Sequence, residues 1–278
     1  MSEPRPKPIN LNGPLILNER DAHVIDLITA PAAPQVKRGV TVKEGFRFVC
    51  LGETGAGKTS LMRVVVYATL AKGYANFALV HDTKNIWPEY PRNQQVATVA
   101  DFVRHGGFNS GIPAVSFRGD PRRDVEVPAE EVAQFSLQLA RRGRVVNGTW
   151  QTLPHVTVIE ELAEAASAGR KKLNAPSVLK LIEQGRKMGV SLVGTTQSPA
   201  NVPLDILRQA SSIAFFRLTG PDVNYMGERL HLDPALIKAV SGQSSEGLPN
   251  HHFALYVKGL PRDKTLYSLD KRTALMFE

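Results

Sequence analysis

The sequence predicts an α/β fold, in which a mainly parallel sheet carries helices on both faces. Apolar runs of strand length alternate with longer segments of helical character through residues 46–218, and this alternation is typical of a parallel sheet. Polar residues directly follow several apolar runs, at Asp82, Glu160, Glu161 and Gln197. Because ligands in such sheets bind beyond the carboxyl ends of the strands, the sequence also predicts a ligand site at that edge.

Six apolar runs are the predicted strands, at 46–51, 77–82, 114–118, 155–159, 190–196 and 212–218. Helices are predicted between them, at 60–70, 128–142 and 176–188. The helix at 128–142 begins with proline and two acidic residues, which suit a first helical turn, and Gly143 ends it. Beyond residue 220 we expect two short helices, at 222–230 and 234–240, and two paired edge strands, at 252–257 and 265–269.

The chain divides into three predicted parts. Residues 1–45 form an N-terminal extension, residues 46–220 the core, and residues 221–278 a C-terminal extension that packs on the core. Within the N-terminal extension, a strand at 15–17 and a short helix at 21–28 are predicted. This extension either covers a sheet edge or reaches a neighbouring subunit, and the sequence leaves both open.

Composition narrows the class of protein. Lysine and arginine total 34 residues against 26 aspartates and glutamates, so the net charge is +8. Such a charge favours a polyanionic partner, although it also serves solubility alone. The single cysteine, Cys50, excludes a disulfide framework and is interpreted as a core residue. No apolar run reaches the length of a membrane span, and residues 1–8 lack the apolar core of a signal peptide. We therefore expect a cytoplasmic protein with no membrane span.

The most specific motif is a phosphate loop at residues 52–60, which match the template G-x-x-x-x-G-K-[ST] at every fixed position. It lies between a predicted strand and a predicted helix, which disfavours the alternative of a chance glycine-rich turn. We expect the loop and the helix N-terminus to hold phosphates, Lys58 to contact the β- and γ-phosphates, and Thr59 to help hold Mg²⁺. The motif predicts ATP and Mg²⁺ binding through Gly52, Glu53, Thr54, Gly55, Ala56, Gly57, Lys58, Thr59 and Ser60.

Four further residues are candidates for hydrolysis. Glu160 would hold Mg²⁺ or its water shell, and Glu161 would polarise the attacking water; the alternative is two solvated acids that begin a helix. Gln197 would hydrogen-bond the γ-phosphate or the water, unless it is an ordinary turn residue. Arg186 is either a cation at a helix C-terminus or an arginine finger for a neighbouring subunit's nucleotide.

Together these motifs resemble the FtsK–HerA superfamily of ring-forming ATPases that pump double-stranded DNA. The matching pieces are the phosphate loop, the apolar run closed by two acids, and residues 185–190, 194–197 and 214–218. The resemblance implies a RecA-like P-loop NTPase core, a hexameric ring, Gln197 as a sensor and Arg186 as a finger in trans. The superfamily usually has Asp-Glu where this chain has Glu160-Glu161, so slower turnover or an altered metal preference is implied.

Within the superfamily, the chain is most similar to the genome-packaging ATPases of tailless, membrane-containing viruses. The absence of predicted spans separates it from septal translocases and conjugative coupling proteins, and residues 1–45 are too short for the β-barrel of HerA-type repair motors. This resemblance implies capsid or portal-vertex partners and association with virions. A cellular or mobile-element DNA motor, and an assembly or secretion ATPase that acts on protein, remain the alternatives.

Two basic clusters suit contact with DNA phosphates. One is Arg170-Lys171-Lys172, in a predicted loop, and the other is Arg141-Arg142-Gly143-Arg144. The alternative for each cluster is a solvated charged surface.

Overall fold

The structure is a computed structural model. It describes residues 18–37, 40–82, 87, 93–104, 114–118, 129–146, 149–165, 168–169, 172–173, 175–218, 221–230, 240–241, 248–249, 251–259 and 266–268. The predicted strand at 15–17, nearly all of the predicted helix at 234–240, and Arg170 and Lys171 of the first basic cluster lie outside the described residues.

Helices and strands alternate along the described chain. The helices are α1 Glu19–Thr29, α2 Lys58–Ala71, α3 Val99–Arg104, α4 Ala129–Arg142, α5 Leu162–Ala165, α6 Pro176–Gln184, α7 Leu204–Gln209 and α8 Pro221–Leu230. The strands are β1 Gln35–Lys37, β2 Val40–Val42, β3 Arg47–Leu51, β4 Phe77–His81, β5 Asn93–Val96, β6 Ala114–Phe117, β7 Arg144–Val146, β8 Thr149–Gln151, β9 His155–Ile159, β10 Ala168–Gly169, β11 Lys172–Leu173, β12 Val190–Thr196, β13 Ser212–Phe215, β14 His252–Val257 and β15 Leu266–Ser268.

Nine of the described strands form one sheet, in the order β15-β14-β13-β3-β12-β9-β4-β6-β5. All neighbours from β13 to β5 are parallel, and only β14 and β15 pair antiparallel at one edge. The register aligns Thr196 with Leu51, and Gly194 with Ile159. The phosphate loop, the two acids and Gln197 therefore emerge at the same edge of the sheet, as the fold class predicts.

The central strand β3 divides the core between the two faces of the sheet. Phe48 and Cys50 pack into one apolar cluster with α1 and α2, whereas Val49 and Leu51 pack into another with α4, α6, α7 and α8. This period of two is the expected pattern for a strand buried on both sides. The mainly parallel sheet with helices on both faces is confirmed.

The described parts of residues 1–45 and 221–278 contact the core. Asn18 caps α1 by accepting a hydrogen bond from the Asp21 N–H, and Val24, Ile25 and Ile28 of α1 are buried in the cluster that includes α2. Helix α1 thus packs on α2, on one face of the sheet. At the other end of the chain, β14 and β15 pair as predicted and lengthen the main sheet beside β13.

Candidate nucleotide site

The phosphate loop connects β3 to α2 at the carboxyl edge of the sheet. Gly57 immediately precedes α2 and has φ of 103°, a left-handed conformation that favours glycine. Gly52 also has positive φ, and a Cβ there would lie 2.6 Å from Cβ of Phe216. The loop therefore needs glycine both for its conformation and for close packing against the end of β13.

A buried lysine lies inside the loop. Lys58 is the first residue of α2, and its Nζ donates hydrogen bonds of 2.6 Å to the carbonyl oxygens of Gly52 and Glu53. The helix dipole of α2 and the Lys58 ammonium both favour an anion at this position. No acidic residue in the first turn of α2 opposes them. Thr59, which is partly exposed, and Ser60, which is buried, follow in the same turn.

The loop is also tied to the neighbouring strand β13. Glu53 accepts a hydrogen bond of 2.8 Å from Arg217 Nε, and the Glu53 N–H donates to the Arg217 carbonyl at 2.9 Å. This pairing joins residues that are 164 positions apart. No local sequence signal identified this contact, because Arg217 lies beside Glu53 only as a result of the pairing of β13 with β3.

The two acids are buried where β9 ends, and α5 begins directly after them. Glu161 Oε1 accepts two hydrogen bonds, from Thr196 Oγ1 at 2.7 Å and from the Gln197 N–H at 3.1 Å. Glu161 also has φ of 51°, a left-handed conformation that is costly for this residue type and is found most often at functional sites. The end of β12 thus fixes the orientation of the Glu161 carboxylate.

Glu160 has a different partner. Its Oε1 accepts a hydrogen bond of 2.9 Å from the indole Nε1 of Trp87, which is fully buried. The Trp87 N–H lies 3.2 Å from Oδ2 of Asp82, and Arg118 pairs with the same oxygen at 3.5 Å. Asp82 therefore positions Trp87, which in turn positions Glu160. No role for Trp87 was predicted from the sequence.

Gln197 connects the loop with the acids. Its Oε1 accepts a hydrogen bond of 2.7 Å from Thr54 Oγ1, while its main-chain N–H reaches Glu161. The structure thus brings Gln197, Glu161 and the phosphate loop into one hydrogen-bonded group. Glu160 lies beside Glu161 in the sequence but is held from the side of β4.

Arg186 lies at the opposite edge of the sheet. It belongs to a 3-10 helix, Gly185–Met188, which leads into the amino end of β12, whereas Gln197 follows the carboxyl end of that strand. Seven residues of extended chain span roughly 20 Å, so Arg186 lies well away from the phosphate loop of the same chain. Its side chain is 50% exposed and pairs with Glu44 at 2.9 Å. Burial, together with the positive charge of Arg186, lowers the pKa of Arg47 to about 10.

The described part of the chain offers no ready-made metal cage. Across it, no three His, Cys, Asp or Glu side chains cluster closely enough to hold a metal ion. Mg²⁺ is commonly held by one or two carboxylates together with substrate phosphates, and the hydroxyl and carboxylate oxygens of Thr59 and Glu160 fit that chemistry. None of the helices in the described ranges has both the length and the apolar character needed to cross a membrane.

Comparisons with known proteins support this picture of the fold. No family model matches the chain. Protein P9 of Pseudoalteromonas phage PM2 is 26% identical over 177 residues, which are 64% of this chain and 71% of P9.

Among solved structures, the genome-packaging NTPase B204 of Sulfolobus turreted icosahedral virus 2 is similar in several complexes. Its sulfate complex aligns with a TM-score of 0.57 and 17% identity, covering 82% of this chain and 98% of B204. Its ATP-gammaS complex aligns with a TM-score of 0.54 and 16% identity, covering 81% and 97%. This chain thus shares its fold with B204, which confirms the predicted fold class.

Proposed function

We propose that this chain is an ATPase that translocates double-stranded DNA and packages a viral genome. The observation that carries the proposal is the position of Gln197, which accepts a hydrogen bond from Thr54 in the phosphate loop and donates one to Glu161. A phosphate held by the loop would touch this group, so the state of the nucleotide and the position of the acid are linked. Such a link is what a motor ATPase requires.

In the proposed hydrolysis reaction, Lys58, Glu161 and Gln197 each have a role. Lys58 meets the β- and γ-phosphates inside the loop, where its ammonium already lies against two carbonyl oxygens. Glu161 polarises the attacking water, because its carboxylate is oriented by Thr196 and by the Gln197 N–H. Gln197 senses the γ-phosphate through the contact that it shares with Thr54.

Thr59 and Glu160 are the residues proposed to hold Mg²⁺. When bound, the metal would neutralise charge on the β- and γ-phosphates. Trp87 fixes the position of the Glu160 carboxylate by donating its indole N–H to Oε1. Glu160 is one carbon longer than the aspartate usual at this position, so it is proposed to act through the metal's water shell.

A ring of subunits, proposed to be a hexamer, completes the site. Arg186 lies at the amino edge of the sheet and is half-exposed, so it is available to the nucleotide of a neighbouring subunit as an arginine finger. B204 is a genome-packaging NTPase, which supports DNA as the substrate and capsid or portal-vertex proteins as docking partners. The net charge of +8 and the exposed Arg141 and Arg142 at the end of α4 suit a DNA track.

The test is steady-state ATP hydrolysis with and without long double-stranded DNA, across a salt series. We expect DNA to stimulate hydrolysis and the stimulation to fade as salt rises, because contacts with DNA phosphates release counterions. Hydrolysis that ignores DNA at every salt concentration would contradict DNA translocation and point instead to a protein substrate. Absence of hydrolysis and of ATP binding would contradict the nucleotide site itself.

A further inference from the structure

A histidine from the C-terminal extension lies against the phosphate loop. His251 precedes β14, which runs antiparallel to β13, so the turn that contains His251 lies at the carboxyl edge of the sheet. The His251 N–H donates a hydrogen bond of 2.9 Å to the carbonyl oxygen of Ala56. The turn at His251 and the phosphate loop are thus in contact although they are far apart in the sequence.

The imidazole ring of His251 lies against Gly57, the residue that immediately precedes α2. A Cβ added at Gly57 would lie 2.7 Å from His251 Nδ1 and 3.1 Å from His251 Cα. Only glycine, which has no side chain, fits at position 57 while His251 is in place. The fixed glycine of the motif thus serves two purposes, since it allows both the turn of the loop and the approach of His251.

Two features of His251 bear on its role. Its φ is 65°, in the left-handed region, where histidine, asparagine and aspartate are enriched among the residues other than glycine. Its Nδ1 is buried, and no residue that the structure describes forms a hydrogen bond with that atom. Buried polar atoms normally have a partner, and an exception calls for an explanation such as a ligand that supplies it.

We propose that His251 is a nucleotide-binding residue, whose Nδ1–H donates to an oxygen of the phosphates that ATP and ADP share. This inference rests on the proposed nucleotide site and adds a residue to it from the C-terminal extension. Loop N–H groups and the helix N-terminus hold the α- and β-phosphates in phosphate loops, and Gly57 lies at that helix terminus. Thr54 and Gln197 bear on the γ-phosphate instead.

Because His251 is assigned to the phosphates that ATP and ADP share, the proposal predicts how the affinities for the two nucleotides change. Loss of the imidazole should weaken ATP and ADP binding by the same factor, about tenfold for one hydrogen bond to a charged group. The effect should appear in KM, with kcat changed less, because the contact is the same before and during hydrolysis. A residue that only supports the turn would instead lower stability without this pattern.

The experiment measures equilibrium binding of Mg·ATP and Mg·ADP to the full-length chain and to variants. His251→Gly keeps the left-handed conformation and the N–H that bonds Ala56, while it removes the ring. His251→Asn keeps the conformation and restores a side-chain donor. We expect the glycine variant to lose affinity for both nucleotides equally, and the asparagine variant to recover part of it.

The matched control is His252→Ala, which removes an imidazole from the adjacent position and should leave both affinities unchanged. Equal losses in His251→Gly and His252→Ala, or a loss that follows a lower melting temperature of the nucleotide-free protein, would overturn the proposal. So would a His251→Gly variant with the affinities of the wild type. If Lys58→Ala abolishes binding while His251→Gly does not, only the role of His251 is rejected. Unaltered binding by Lys58→Ala would reject the proposed site as a whole.

Discussion

The Thr54 hydroxyl donates a hydrogen bond of 2.7 Å to Oε1 of Gln197, and this bond joins the phosphate loop to the end of β12. Thr54 is an exposed residue of the loop, and we propose that a γ-phosphate competes for its hydroxyl or for the Gln197 amide. The Gln197 N–H is bonded to Glu161. A shift of Gln197 would therefore change the position of the Glu161 carboxylate, which we propose polarises the attacking water.

Removal of this hydroxyl should uncouple the loop from the acid. In Thr54→Val the shape of the side chain is kept and the donor is lost, so we expect kcat to fall about fivefold, the typical effect of one neutral hydrogen bond, with a smaller change in ATP affinity. Thr54→Ser keeps the hydroxyl and is the matched control. Single-turnover hydrolysis measures the effect, and equal rates for the valine and serine variants would contradict the coupling.

The role of Glu161 can be separated from its structural hydrogen bonds. Glu161→Gln keeps an oxygen that accepts from Thr196 and Gln197 but removes the base, so hydrolysis should fall by about 10²-fold or more while ATP still binds. Glu164→Gln, which changes an exposed acid of α5, should be without effect. ATP binding and hydrolysis are measured on the same preparations, and substantial activity in Glu161→Gln would move the base elsewhere.

Lys58 is expected to matter for the nucleotide and little for the fold. Lys58→Ala removes the positive charge from the loop, and hydrolysis should become undetectable with a melting temperature close to that of the wild type. Thermal melting and ATP hydrolysis without DNA check both statements. The control is Lys180→Ala, which alters an exposed lysine of α6, and unchanged hydrolysis in Lys58→Ala would remove the basis of the site.

The central strands and the phosphate loop could be predicted because their signals are local. The runs that became β3, β4, β9 and β12 are apolar and bounded by polar residues, and the loop template has fixed spacing. Strand β5, Asn93–Val96, was missed because its sequence is polar, and it is a strand only through pairing with β6. The hairpin of β7 and β8 was missed as well, since Arg144 was assigned to a basic cluster.

Contacts between distant segments account for what the sequence left out of the site. Trp87 reaches Glu160 across 73 positions, and His251 reaches the loop only because β14 pairs with β13. No spacing rule predicts such contacts from one chain. Arg186 was only partly predictable. Its motif suggested two roles, and the fold then placed it at the amino edge of the sheet, away from the phosphate loop of the same chain.

A buried histidine should make stability depend on pH. His155 is fully buried at the start of β9, where its Nδ1–H donates to the Leu153 carbonyl and its Nε2 faces Ser136 Oγ at 2.8 Å. Burial lowers the pKa of His155 to about 4 from an ordinary 6.5. The unfolded chain therefore binds a proton first, and stability is retained above pH 6.5 and lost as the pH falls from 6.5 towards 4.

The expected loss is about 2 kcal/mol in the free energy of unfolding between pH 7 and pH 5, measured by urea denaturation at each pH. His155→Asn removes the titrating group and keeps a polar side chain near Ser136. This variant should be less stable at pH 7 and should show a shallower dependence on pH. An equally steep dependence in both proteins would assign the acid sensitivity to other groups.

Arg186 should act on the nucleotide of a neighbouring subunit. Arg186→Ala should lower hydrolysis by about 10³-fold, as expected for an arginine finger, and spare ATP binding, because Arg186 and the loop lie at opposite edges of one sheet. Mixing Arg186→Ala with Glu161→Gln subunits should restore activity, since the loop and Glu161 of an Arg186→Ala subunit then meet the finger of a Glu161→Gln subunit at some interfaces. Mixing Glu161→Gln with Lys58→Ala, two defects of the same site, should restore none. A mixture of the first pair no more active than its parts would mean that Arg186 serves its own subunit.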